Sequence, residues 1–226
     1  MKIGLYMSEL NQLLLNFNQK QNFNSDDFYV SKSNYFAFQV IETWPKWEKN
    51  IVNIHGDNFC GKTHLSNIFK KKNKAIKINE KEFTSETFKI IKPYENIILE
   101  DFKNKIDEKL LYSLFNLIDQ DNKFLIINSN MAITEMNFKL KDLQSRVKNC
   151  ILAEIKNPDD DLIFALILKF FSDKQITIEK KVVEYIVKRI HRSYSKIFEF
   201  IYKVDEISLK KKKPIDIKTV KNLMGR

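Results

Sequence analysis

The sequence predicts an α/β chain: a five-stranded parallel sheet with helices on both faces, followed by a small all-helical domain. Three observations carry that expectation. Five short apolar segments alternate with helical patterns, the arrangement of strands joined by crossover helices. The first of these segments runs straight into a glycine-bracketed loop and then a helix. Beyond Asn157-Pro158 only helical periodicity remains.

Residues 1 to 22, rich in Asn and Gln, read as a tail. Phe23 to Ile41 leads into a helix that ends near Trp44-Pro45, because proline pushes the residue before it out of helical geometry. The predicted strands are Ile51–His55, Ala75–Ile78, Asn96–Leu99, Phe124–Asn128 and Cys150–Ile155. After the first strand, Leu65, Ile68 and Phe69 recur at i, i+3, i+4, one buried helical face. Between the third and fourth strands, Leu110, Leu111, Leu114, Phe115 and Ile118 mark another helix. The helices expected after Asn157-Pro158 are Asp159–Ser172, Glu179–Ile190, Ser193–Leu209 and Asp216–Met224. The domains expected are therefore 1–22, 23–156 and 157–226.

The chain has only four glycines, and two of them bracket the loop Gly56-Asp57-Asn58-Phe59-Cys60-Gly61-Lys62-Thr63, which fits G-x-x-x-x-G-K-[ST]. Glycine lets successive N–H groups turn inward towards phosphate oxygens. The helix that follows adds its free N–H groups and positive dipole end. Lys62 is placed to reach the β- and γ-phosphates, and the Thr63 hydroxyl to hold Mg²⁺. The expected nucleotide contacts are Gly56, Asp57, Asn58, Phe59, Cys60, Gly61, Lys62, Thr63 and the adjoining His64, with ADP or ATP as ligand.

Composition bounds the rest. At 226 residues and 43% hydrophobic, the chain can form one sizeable domain plus an appendage. Two cysteines, Cys60 and Cys150, make no disulfide framework and no metal spacing, which points to a reducing cytoplasm. Cys60 reads as a buried, inert thiol. The longest apolar run, Leu162 to Leu168, is too short to span a membrane, and the N-terminus lacks a signal-peptide layout. A formal net charge of +10 suits nucleic-acid contact. Lys70-Lys71-Lys72 and Lys210 to Lys213 nevertheless read equally as solvated helix ends or loops.

The third strand runs into Glu100-Asp101. Alone, two acids after a strand usually mean a solvated turn. Beside a phosphate loop they suit Mg²⁺–ATP chemistry: Glu100 for the metal or its waters, Asp101 to orient an attacking water. The fourth strand ends in Asn128-Ser129-Asn130, and Asn128 is the residue chosen here as a γ-phosphate or water contact. Such residues also form turns.

Phosphate loop, acidic strand end, polar strand end, basic residue and helical lid, in that order, resemble the AAA+ ATPases. More narrowly, the chain is similar to the replication initiator DnaA and its shortened relative Hda (HdaA) from about Phe28 to Met224. Phe28-Tyr29-Val30 with Ser33-Asn34 resembles the family's leading segment, implying that Phe28 and Val30 help enclose the adenine. Trp44-Pro45 is similar to the Hda-like branch. Leu143-Gln144-Ser145-Arg146 matches the family's arginine-finger segment, implying that Arg146 acts on a neighbour's γ-phosphate; without the resemblance it is a helix-surface arginine. Arg192 resembles the lid arginine that contacts nucleotide in the same chain, with Arg189 one turn away as competitor. Gln12-Leu13-Leu14-Leu15-Asn16-Phe17 resembles the peptide by which Hda binds the DNA polymerase sliding clamp, through Gln12, Leu13, Leu15 and Phe17. Leu10, Leu13, Leu14 and Phe17 also fit one face of an amphipathic helix.

The resemblance implies a regulator that, with the DNA-loaded clamp, stimulates hydrolysis of DnaA-bound ATP and so represses re-initiation. DNA contact is then mainly indirect, and self-association stays open. Two departures bear on this. The family's first acid is Asp and here it is Glu100, which speaks against efficient self-hydrolysis. The chain also ends at Arg226, where DnaA continues into a helix-turn-helix domain. The alternative is an autonomous ATPase that loads or remodels a helicase or DNA.

Overall fold

Five strands form one sheet: β1 (Ile51–Gly56), β2 (Ile76–Asn79), β3 (Asn96–Phe102), β4 (Phe124–Ser129) and β5 (Ile151–Ile155). Their order is β2-β3-β4-β1-β5, and every neighbouring pair is parallel. The computed structural model describes residues 28–211 and 215–225. They divide into two units, Val30–Leu162 and, together with Phe28 and Tyr29, the segment from Ile163 onward.

The helices of the first unit are α1 (Tyr35–Glu42), α2 (Lys62–Asn73), α3 (Thr87–Ile91), α4 (Glu108–Gln120) and α5 (Lys141–Val147). The central strands are near-continuous apolar runs because both sheet faces are covered. Ile97, Leu99, Leu125 and Ile127 pack with Leu111, Leu114, Phe115 and Ile118 of α4. Alternate residues Val52, Ile54, Ile98 and Ile126 are equally buried and point to the other face. On that other face α2 contributes buried Leu65, Ile68 and Phe69. Asp107 caps α4, its carboxylate accepting from the N–H groups of Lys109 and Leu110.

The expected α/β architecture with a helical region after it is what the chain adopts. Some details differ. The first helix begins only at Tyr35, after Asn34, whose side chain accepts from Ser31 N at 2.8 Å. β3 continues to Phe102, so Glu100 and Asp101 lie within the strand, where the register shifts between Leu99 and Phe102. Asp101 takes a left-handed φ of 57° there.

The second unit holds most of α6 (Asp160–Asp173), then α7 (Lys180–Val187), α8 (Tyr194–Lys211) and α9 (Ile217–Leu223). α7 stops short of the expected Ile190. Its core gathers Ile163, Phe171, Val183, Ile186, Ile197 and Val204. Among the described residues no helix is long and apolar enough to cross a membrane.

Candidate nucleotide-binding site

The glycine-bracketed loop leaves the carboxyl end of β1 and enters α2 directly. Gly56 has φ 151°, and a Cβ there would lie 2.4 Å from the Ile155 carbonyl oxygen on β5. Gly61, at φ 105°, opens α2 with no side-chain cap on the helix. The N–H groups of the first turn thus point into the loop without a capping side chain. The Lys62 ammonium bends back across the loop, donating to the carbonyls of Gly56 (2.6 Å) and Asp57 (2.8 Å). Asp57, Asn58 and Phe59 are exposed, and His64 is half-buried. Cys60 is buried, and burial raises its thiol pKa, in keeping with an inert cysteine. Burial likewise lowers the pKa of His55 at the end of β1, against the opposing pull of Glu154.

The acidic strand end sits beside this loop. Thr63 Oγ1 donates to Glu100 Oε2 at 3.1 Å, and Lys77 Nζ on β2 lies 3.6 Å from Glu100 Oε1. Asp101 is exposed, and Asn79 donates to its Oδ2 at 2.8 Å. Buried Glu80 braces the loop beyond, accepting from Lys103 N (3.0 Å) and Lys105 N (2.7 Å). Asn128 is buried and donates to Ser66 Oγ on α2 at 2.6 Å. Its amide therefore lies under the helix rather than at an exposed strand end. The exposed residue there is Asn130.

These residues fit a nucleoside diphosphate or triphosphate. The loop turns at two glycines, the helix end is uncapped, and an ammonium lies across the mouth. Buried Glu100 Oε1 and Asn128 Oδ1 have no hydrogen-bond partner, so polar capacity is left over beneath the start of α2. Among the described residues no cluster of three or more His, Cys, Asp or Glu could hold a metal by itself. A cation at Thr63 and Glu100 would share its coordination with phosphate oxygens.

Arg146 is elsewhere. α5 returns from the carboxyl end of β4 to the amino end of β5, and Arg146 stands near its end. It pairs with Asp119, near the end of α4, and its guanidinium lies 5.3 Å from the centre of the Tyr112 ring. Cys150 just precedes β5, Lys49 just precedes β1, and Asp119 stands near the end of α4 before β4, so all three lie at the amino edge of the sheet. Burial pushes that thiol up to about 12. A six-residue strand at about 3.3 Å per residue separates this edge from the phosphate loop by roughly 20 Å.

The leading segment is tied to the carboxyl end of β5: Lys156 N donates to Ser33 O at 2.9 Å, and Ser33 N to Asp159 Oδ2 at 3.3 Å. Phe28 and Val30 are half-buried just before it. In the second unit, Arg189 stacks on Tyr185, 4.0 Å from the ring centre, whereas Arg192 is exposed on the turn between α7 and α8. Gln12, Leu13, Leu15 and Phe17 lie outside the described residues.

Sequence reasoning missed Lys77, Asn79, Glu80 and Ser66. The signal was present in Ile76-Lys77-Ile78-Asn79, whose alternation puts Lys77 and Asn79 on one face of β2. The register Asn79↔Glu100 makes that the face of the acid.

Residues 159–224 match the sequence profile of the Hda lid domain. The chromosomal replication initiator protein DnaA of Caldanaerobacter subterraneus subsp. tengcongensis is 25% identical over 241 residues, covering 94% of this chain and 53% of that protein. DnaA of Helicobacter hepaticus is 24% identical over 197 residues, covering 76% and 43% respectively. The chain thus spans about half the length of the curated relatives it matches. In structure it resembles domain III of Thermotoga maritima DnaA, with a TM-score of 0.71 at 17% identity, covering 90% of this chain and 96% of that one. AMPPCP-bound DnaA from Aquifex aeolicus gives 0.64 at 19% identity, over 85% and 71%. The Holliday junction branch migration motor RuvB of Thermotoga maritima gives 0.60 at 18%, over 78% and 61%. These structural likenesses establish the AAA+ fold.

Proposed function

We propose that this chain, a Hda/DnaA-related AAA+ protein, binds ADP or ATP in its own phosphate loop and promotes hydrolysis of ATP held by DnaA. The observation that carries this reading is the separation of Arg146 from Lys62 by the length of the sheet. An arginine at the amino edge serves a nucleotide on another molecule, never its own. There its planar charge stabilises the transferring phosphoryl group.

In this account Gly56 to Thr63 hold the phosphates, and Val30 helps enclose the adenine. Thr63 and Glu100 are the residues that would hold Mg²⁺ when it is bound, where it would add to the charge neutralisation of the phosphates. Lys62 exchanges its loop carbonyls for phosphate oxygens. The Gln12 to Phe17 segment tethers the protein to the sliding clamp on DNA, so DNA contact is indirect. The consequence is repression of re-initiation in the cytoplasm.

The test is ADP formation on ATP-loaded DnaA, with clamp loaded on DNA and this protein added. Arg146→Ala is expected to lower the stimulation by on the order of 10³-fold or more. Arg146→Lys should rescue little, since an ammonium lacks the planar fork. Undiminished stimulation by Arg146→Ala contradicts the proposal. Clamp capture tests the tail: Gln12→Ala with Phe17→Ala should abolish it.

A second reading, an autonomous ATP-driven loader, is favoured by exposed Asp101 beside the Thr63–Glu100 pair. It predicts robust self-hydrolysis that depends on Glu100 and Asp101.

A further inference from the structure

We infer that Lys77 is a built-in counter-cation for Glu100, so that this site takes a nucleoside diphosphate with little help from a divalent metal. The inference rests on the nucleotide reading above and specifies how that site is charged. Glu100 is 6% exposed, and its Oε2 accepts from Thr63. Its Oε1 accepts no hydrogen bond and instead faces the Lys77 ammonium at 3.6 Å. That ammonium is held from a second side: it donates to Asn67 Oδ1 at 2.8 Å, one turn beyond Thr63 on α2. The registers Lys77↔Ile98 and Asn79↔Glu100 fix Lys77 on the sheet face that α2 covers.

A carboxylate removed from water needs a counter-charge, and one left unpaired is strongly unfavourable. In a phosphate-loop site a divalent cation can supply that charge only while it is bound. Here a covalently attached cation supplies it permanently. The Glu100–Lys77 pair is close to neutral, so it draws Mg²⁺ weakly and leaves the phosphates to Lys62 and the loop N–H groups. A Lys at this place thus suits a ligand that is retained rather than turned over.

The experiment is titration of the full chain with a fluorescent ADP analogue, in excess Mg²⁺ and in excess EDTA. The wild-type dissociation constants should agree within about threefold, because the fixed charge removes most of the metal's electrostatic advantage. Lys77→Met should raise the ratio to about tenfold or more, and Lys77→Arg should restore the wild-type ratio. The double variant Lys77→Met/Glu100→Gln removes both charges and so guards against misfolding; its ratio should return towards wild type. A wild-type ratio above about tenfold, or a ratio in Lys77→Met equal to wild type, overturns the inference alone. Absence of binding in both buffers overturns the nucleotide site itself and the inference with it.

Discussion

Arg146 near the end of α5 is paired with Asp119 near the end of α4, at the sheet edge opposite the phosphate loop. The pair holds the guanidinium against Tyr112 but leaves a third of its side chain exposed. An arginine so placed is oriented without being buried, which suits a group that must reach another molecule.

That arrangement separates stability from function. A half-exposed ion pair contributes at most about 1 kcal/mol. Asp119→Ala should therefore shift the unfolding free energy by no more than that, measured by urea denaturation. It should reduce stimulation of DnaA-bound ATP hydrolysis by about fivefold or less, the same energy expressed as a rate. Arg146→Ala should match it in stability and fall far below it in stimulation.

Lys62→Ala removes the ammonium that now rests on the carbonyls of Gly56 and Asp57. A charged hydrogen bond is worth about 1.5–3 kcal/mol, so affinity for ADP should fall by about 10- to 100-fold, measured by equilibrium titration. The melting temperature of the ligand-free protein should also fall slightly, because both loop carbonyls lose their charged donor.

Gly56→Ala tests the loop's backbone. The new Cβ would stand 2.4 Å from Ile155 O, on a residue held at φ 151°. Backbone must move, and overpacking of this kind costs about 1–3 kcal/mol. Denaturation should show that loss, together with weaker nucleotide binding, since β1 and β5 part at the loop's base.

His55 gives the stability a pH dependence of known sign. Burial holds its folded pKa below the ordinary 6.5. Between those two values the unfolded chain binds the proton and the folded chain does not, so stability is full above 6.5 and is lost as pH falls towards the folded value. The slope of unfolding free energy against pH in that window should flatten in His55→Gln.

Much of this fold is legible in the residues. The alternation of Ile51–His55, Phe124–Asn128 and their companions with amphipathic helices requires a parallel sheet, and Asn157-Pro158 marks the change to helices. The loop from Gly56 to Thr63 is recognisable because its chemistry is local: turn, N–H groups and ammonium are contiguous. Glu100 was legible from its strand end, but Lys77 was not, because their meeting depends on which strands are neighbours. Asn128 shows the limit from the other side. Its position at the end of a strand suggests a ligand contact, and nothing in the local sequence announces that its amide also bonds Ser66 beneath α2. The short helix carrying Arg146 has too few apolar positions to announce itself, and only the order of motifs singled the arginine out.

In the proposed mechanism nucleotide stays on this chain and turns over on its partner. The direct measurement loads this protein and DnaA with differently labelled ATP, mixes them with clamp on DNA, and follows each label through a single turnover. Rapid ADP formation from the DnaA-bound label, dependent on Arg146, is expected, with slow loss of the label held by Lys62 and Thr63. Rapid hydrolysis of this chain's own label, unaffected by Arg146→Ala, would contradict that mechanism.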